Sequence, residues 1–297
     1  MRTQICIASL ALCLGSTMPV ASALAQNAEP TVLWESPTEL RNPESVVHDA
    51  DNDVLYVSNV DGGPMDKDGK GFISKLSPAN GSIVELEWVG GLDAPKGLAL
   101  HDGTLYVADI DRLVEIDISS GNVSATHAAE GAKFLNDVAV TDDGVVYVSD
   151  MITDRIHRLL DGEFTAWLDS AGLENPNGLL VEGDWLVVGS WGRMADDFST
   201  EVPGHLKSVS LDEASVQSLG DGTPVGNLDG VESDGQGNYL VSDWVDGALY
   251  RITPEGEATQ LLDLDQGSAD IGVVDAGNVV LMPMMNGNKV VAYDVGG

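Results

Sequence analysis

A short apolar run recurs six times along this chain, and the interval between copies restricts the fold more than any other feature. The runs are LYVSN at 55–59, LYVAD at 105–109, VYVSD at 146–150, LVVGS at 186–190, YLVSD at 239–243 and VVLMP at 279–283. Between 13 and 15 residues before each run's end, one polar residue opens a second apolar run: Glu44, Lys96, Asn136, Asn177, Asp229 and Asp270. These anchors follow one another at 52, 40, 41, 52 and 41 residues. A super-period near forty with four short strands per unit fits sheets packed radially around an axis. A sandwich repeats its strands but not such groups of strands.

The sequence therefore predicts an all-β fold, a six-bladed β-propeller with four-stranded blades. Asp-Gly pairs at 102–103, 143–144, 161–162, 221–222 and 234–235 supply the turns. The sixth unit runs out after its third strand, at 289–295, and the apolar stretch 31–36 precedes the first anchor. One N-terminal strand joining three C-terminal strands would close the ring and cover an exposed sheet edge.

Residues 1–25 read as a signal peptide, with Arg2 at the start, an apolar stretch over 5–14 and small residues up to Ala25. Residues 26–297 are then a single propeller domain, expected in the periplasm or secreted. Both cysteines, Cys6 and Cys13, fall inside the leader, so no disulfide or thiol chemistry is expected of the exported form. The chain has 14 Lys and Arg against 48 Asp and Glu, a formal net charge of −34. Such a surface repels phosphate backbones and anionic lipid, which argues against nucleic acid and membrane as partners. A monomer acting on a small molecule is the expectation.

In a propeller the first residues of the innermost strands converge at one end of the central channel, under the loops that join each second strand to the third. Two of those loops are long, 60–71 and 192–204, and suggest a lidded pocket. The six anchors bring together three carboxylates, two carboxamides and one amine. Like charges in so confined a space repel unless a cation joins them. Every candidate ligand offers oxygen, which suits a hard ion such as Ca²⁺, Mg²⁺ or Mn²⁺. A water-filled channel with hydrogen-bonded polar walls is the alternative.

Three segments carry a family resemblance: NPESV with Glu44, NPNGL with Asn177 and LDGVE with Asp229, in units one, four and five. The chain resembles the senescence marker protein, gluconolactonase and luciferin-regenerating enzyme family over essentially its whole mature length. The resemblance implies that Glu44, Asn177 and Asp229 hold one divalent cation, Ca²⁺ by preference, with Mg²⁺, Mn²⁺ or Zn²⁺ as alternatives. It also implies a lactonase-like hydrolase, with Asn136 of LNDV contacting substrate or a metal-bound water. Phe134 departs from the pattern, because the family's gluconolactonases often place there an arginine that grips sugar hydroxyls. Paraoxonases and strictosidine-synthase-like proteins share the six-bladed plan, but Lys96 stands near where paraoxonases use a histidine.

On this reading a metal-polarised lactone or small ester is attacked by water. Asp229 is the candidate general base as well as a ligand. Lys96 either assists the developing oxyanion or pairs with Asp270. Trp191 and Trp244 follow the second strands of units four and five and either wall the pocket or pack under loops, as does the group Met282, Met284 and Met285. Asn59, Asp109, Asp150 and Asp243, at the ends of the repeated runs, read as turn caps. The five histidines share no dyad spacing, and no serine-hydrolase elbow, phosphate loop or cysteine pair occurs. The rival reading is a non-catalytic propeller that binds a protein or glycan; a quinoprotein dehydrogenase would want basic anchors where these are acidic.

Overall fold

A computed structural model describes residue 1, residues 29–195 and residues 199–296. The leader expected at 1–25 lies, after Met1, outside the described residues. The remainder forms six antiparallel four-stranded sheets. The first is Pro43–Asp49, Val54–Asn59, Gly71–Leu76 and Ile83–Leu92, and the next four repeat that order outward from innermost strands Pro95–His101, Leu135–Val140, Pro176–Glu182 and Leu228–Ser233. In the sixth, Gly272–Val274, Val279–Met284 and Lys289–Asp294 are completed by Thr31–Glu35, paired antiparallel to Lys289–Asp294. The ring closes as the sequence predicts. Innermost strands of neighbouring blades touch all the way round. No helix among the described residues is long and apolar enough to cross a membrane.

The repeated runs are the second strands, and three of them are buried from end to end: Val54–Asn59, Val146–Asp150 and Tyr239–Asp243. A strand sandwiched between two neighbouring sheets has no solvated face, which explains a continuous apolar run instead of alternation. Six apolar clusters result, one between each pair of adjacent blades. Tyr56, Ile73, Leu105 and Ile116, for example, join blades one and two. The outermost strands, such as Asn122–Ala128, are largely exposed.

Five innermost strands begin with a break in register against the second strand, between Pro43 and Val46, Pro95 and Leu98, Leu135 and Val138, Pro176 and Leu179, and Leu228 and Val231. Each break contains an anchor. A bulge adds one residue and re-aims its side chain, here away from the inter-blade core. The serine of the YVSD-like run accounts for the freed backbone: Ser58, Ser149 and Ser242 Oγ accept from the N–H of Ser45, Asp137 and Gly230, each at 2.9 Å. The acid that ends the run fixes the approach to the anchor. Asp109 accepts from the N–H of Asp93 and Ala94, and Asp150 from Lys133 and Phe134.

After three anchors comes glycine, and packing demands it. A Cβ on Gly178 would sit 2.0 Å from Asp229 O, on Gly230 2.4 Å from Ile271 N, and on Gly97 2.5 Å from Asp137 Cα, each on the next blade. No rotamer relieves a clash with backbone. Gly178→Ala should therefore lower stability by about 3 kcal/mol through overpacking. Gly90→Ala, on an outer strand where a Cβ meets nothing within 4 Å, should change it by less than about 0.5 kcal/mol. Urea midpoints of the two variants check this; equal midpoints would contradict the close approach of the blades.

Candidate functional site

Glu44, Lys96, Asn136, Asn177 and Asp229 line one cavity of about 300 Å³ at the end of the channel where the innermost strands begin. That volume lies at the small end of the range for small-molecule sites. All five are buried to within a few per cent of complete. Val60 and Pro64 from the long loop of blade one border it, as do Trp191, Trp244 and Met285 at the second-strand ends of blades four, five and six. The loop after Trp191 forms a small hairpin of Gly192–Met194 and Thr200–Pro203.

The sixth anchor departs from expectation. Asp270 is not among the lining residues; its Oδ2 accepts from Ser45 Oγ at 2.5 Å, and its N–H donates to Glu44 O at 2.9 Å. The same one-residue excess occurs in blade six, where three residues between Ser268 and Gly272 oppose two between Leu281 and Met284, so it is the bonds to Ser45 and Glu44 that set Asp270 apart. Asp270 is thus held by blade one and not turned to the cavity. The suggested pairing of Lys96 with Asp270 fails for the same reason. Lys96 Nζ donates to Ala94 O at 2.9 Å and lies 4.5 Å from the centre of the Phe134 ring.

Electrostatics in the cavity is dominated by burial. Glu44 is pushed well above the carboxylate range by desolvation, then by the charges of Asp229 and Asp270, with Lys96 opposing. Asp229 is raised likewise by desolvation and Asp270, with the Asn177 amide opposing. Lys96 is lowered to about 8 by desolvation, against the pull of Glu44 and Asp109. Two further acids on innermost strands were not singled out from sequence. Asp137 is raised by burial and by Asp270, although it accepts from the N–H of Leu179 at 2.6 Å and of Val138 at 2.7 Å. Glu232 is raised to about 8 by burial and Asp270.

The donor set fits a hard divalent ion. Glu44 Oε2 is buried with no hydrogen-bond partner among the described residues. Asn177 Oδ1 accepts from Asn136 Nδ2, which leaves one lone pair of that oxygen uncommitted. No histidine or cysteine lines the cavity. Among the described residues no group of three or more His, Cys, Asp or Glu is disposed to hold a metal; this set has two acids and one amide. Trp191 and Trp244 border the cavity with ring centres 6.1 Å apart. Of the methionines, Met285 lines it, whereas Met282 and Met284 pack between blades five and six. Met151, Val60 and Pro64 had no sequence signal beyond their places in second-strand ends and loops.

Residues 42–269 match the SMP-30/Gluconolactonase/LRE-like region, and the chain belongs to that family. It is also similar to Protein STRICTOSIDINE SYNTHASE-LIKE 4 of Arabidopsis thaliana, 36% identical in an alignment of 121 residues that covers 37% of this chain and 30% of that protein. The chain thus spans less than a third of that relative's length. Among solved structures, a catalytically inactive virginiamycin B lyase from Staphylococcus aureus with quinupristin aligns with a TM-score of 0.57 at 14% identity, covering 85% of this chain and 94% of that one. A streptogramin B lyase aligns at 0.58 and 12%, covering 85% and 93%. At these identities the likeness is one of fold.

Asp270, raised to about 7 by burial, gives the site a pH signature. The folded chain keeps this proton after the unfolded chain has lost its own near pH 4. Its contribution is therefore fully favourable below about pH 4 and is lost as the pH rises through about 7. The melting temperature of the metal-free protein should fall between pH 5 and 8, and fall less in Asp270→Asn. Identical slopes in the two proteins would contradict a buried proton on Asp270.

Proposed function

We propose that this protein is an exported, monomeric, divalent-metal-dependent hydrolase that opens a lactone or small ester. The observation that supports this most is the unpartnered, buried Glu44 carboxylate oxygen in one cavity with Asn177 and Asp229, among acids that burial and mutual repulsion hold above their usual range. Family membership supports a hydrolase of this kind, and the leader-like residues 1–25 support export.

Glu44, Asn177 and Asp229 would hold the ion. When bound, it supplies Lewis-acid polarisation of the substrate carbonyl and a more acidic water. Asp229 takes the proton from the attacking water at its carboxylate and returns it to the alkoxide released when the acyl–oxygen bond breaks, which in a lactone gives the hydroxy acid. Asn136, whose amide nitrogen donates to Asn177 and, at 3.7 Å, to Met151 Sδ, contacts the substrate or the attacking water through its amide oxygen. Lys96 spends one donor on Ala94 O and has two more for the carbonyl oxygen as charge develops there.

Dialysed protein should contain about one divalent ion per chain, or should gain thermal stability on adding Ca²⁺, Mn²⁺ or Zn²⁺. Asp229→Ala should lower lactone hydrolysis by about 10³-fold, within the range for loss of a general base, with an unchanged circular dichroism spectrum. No bound ion, no stabilisation and unchanged turnover would instead favour a propeller that only binds.

A further inference from the structure

The cavity is divided by polarity. Its floor is the five anchor side chains; its walls are Val60, Phe134, Met151, Trp191, Trp244 and Met285. Polar groups in the walls include Asn286, whose Nδ2 donates to Gln266 O at 2.9 Å, and Trp191, whose buried Nε1–H has no partner among the described residues. On the floor Asn136 donates to Asn177 and Lys96 to Ala94 O, while Glu44 Oε2 is unpartnered, so the free polar groups are concentrated there. A substituent rising from the floor would therefore meet mainly aromatic rings and thioethers, with the Trp191 N–H as an unpaired donor among them. Hydroxyl groups placed against Phe134 or Met285 would lose water and find no partner.

We infer that the cavity takes a neutral, amphipathic carbonyl compound whose carbonyl faces the floor and whose alkyl or aryl substituent fills the apolar walls, and that it discriminates against polyhydroxylated rings. The formal charge of −34 disfavours an anionic substituent in the same place. The hydrolytic part of this inference rests on the function proposed above, and the binding part does not.

Two measurements on Ca²⁺-equilibrated protein keep the two apart. In the first, hydrolysis is followed for six-membered lactones that carry side chains from methyl to heptyl and for the same ring bearing hydroxyl groups. In the second, calorimetry records binding of the matching lactams, which resist hydrolysis. Both kcat/KM and lactam affinity should rise about fourfold per methylene, the factor that ~0.8 kcal/mol per buried CH₂ implies, until the walls are covered. The hydroxylated ring should lie about 100-fold or more below the longest alkyl member, as that same increment sums over a few methylenes. Trp244→Ala should flatten the dependence on chain length in both assays. A flat series, a preference for the hydroxylated ring, or no lactam binding at all would overturn the inference. Lactam affinity graded by chain length with no turnover of any lactone would uphold it and sink the hydrolase reading.

Discussion

Each of the first five innermost strands is kinked where it starts, and the bonds that hold the kink come from outside the strand. A bulge leaves backbone donors unpaired, and an unpaired buried N–H is costly. Ser58, Ser149 and Ser242 take up that donor in three blades, while Asn59, Asp109, Asp150 and Asp243 fix the residues just ahead of the anchor. The repeated run thus works twice, its apolar half filling the space between blades and its polar end setting where the anchor points. Blade six carries the extra residue too, but its anchor Asp270 is bonded to Ser45 of blade one and is the one that does not line the cavity.

This division of labour lets the channel hold groups that a simple core would reject. Burying a carboxylate without a counter-charge is among the most expensive things a fold can do. Here Glu44, Asp137, Asp229 and Asp270 stand buried with one lysine close by. Six inter-blade clusters supply the compensating burial, and they lie away from the axis, so the acids never compete with them for space. The tension shows as raised proton affinity and as a carboxylate oxygen with no partner. Local rules broken at one place and satisfied elsewhere are what a functional site looks like.

The architecture was legible because a propeller writes its period into the chain. Six second strands buried on both faces must be apolar and regularly spaced, and the closing strand 31–36 announced itself as the one strand without a unit. The anchors were legible for a related reason, since a lone polar residue at the head of an apolar strand is improbable unless the bulge turns it outward from the core. Asp270 was misplaced because its bond to Ser45 of the neighbouring blade is a tertiary contact, which the residue pattern around it does not reveal. Asp137 and Glu232 were missed because each follows an anchor by one or three residues and reads as ordinary strand alternation. The walls were hardest: Met151 and Val60 look like any apolar residue at a strand end, and only the meeting of five blades gives them a common surface.

Charge and polarity in this cavity also bear on the direction of a reaction. A neutral ligand that buries an alkyl or aryl group against Trp191, Trp244 and Phe134 gains from leaving water and is indifferent to the acidic channel. Hydrolysis of a lactone or ester would turn it into a carboxylate beside Glu44 and Asp229, within a chain of formal charge −34. Attraction of the apolar part is the same before and after, while the new charge would feel Glu44 and Asp229 as repulsion and Lys96 and a bound cation as attraction. Substrate and product would then differ in affinity through one group, and that difference is set by the balance of acids and cations at the floor. An apolar wall over a charged floor thus separates the part of the ligand that fixes specificity from the part whose charge changes in the reaction.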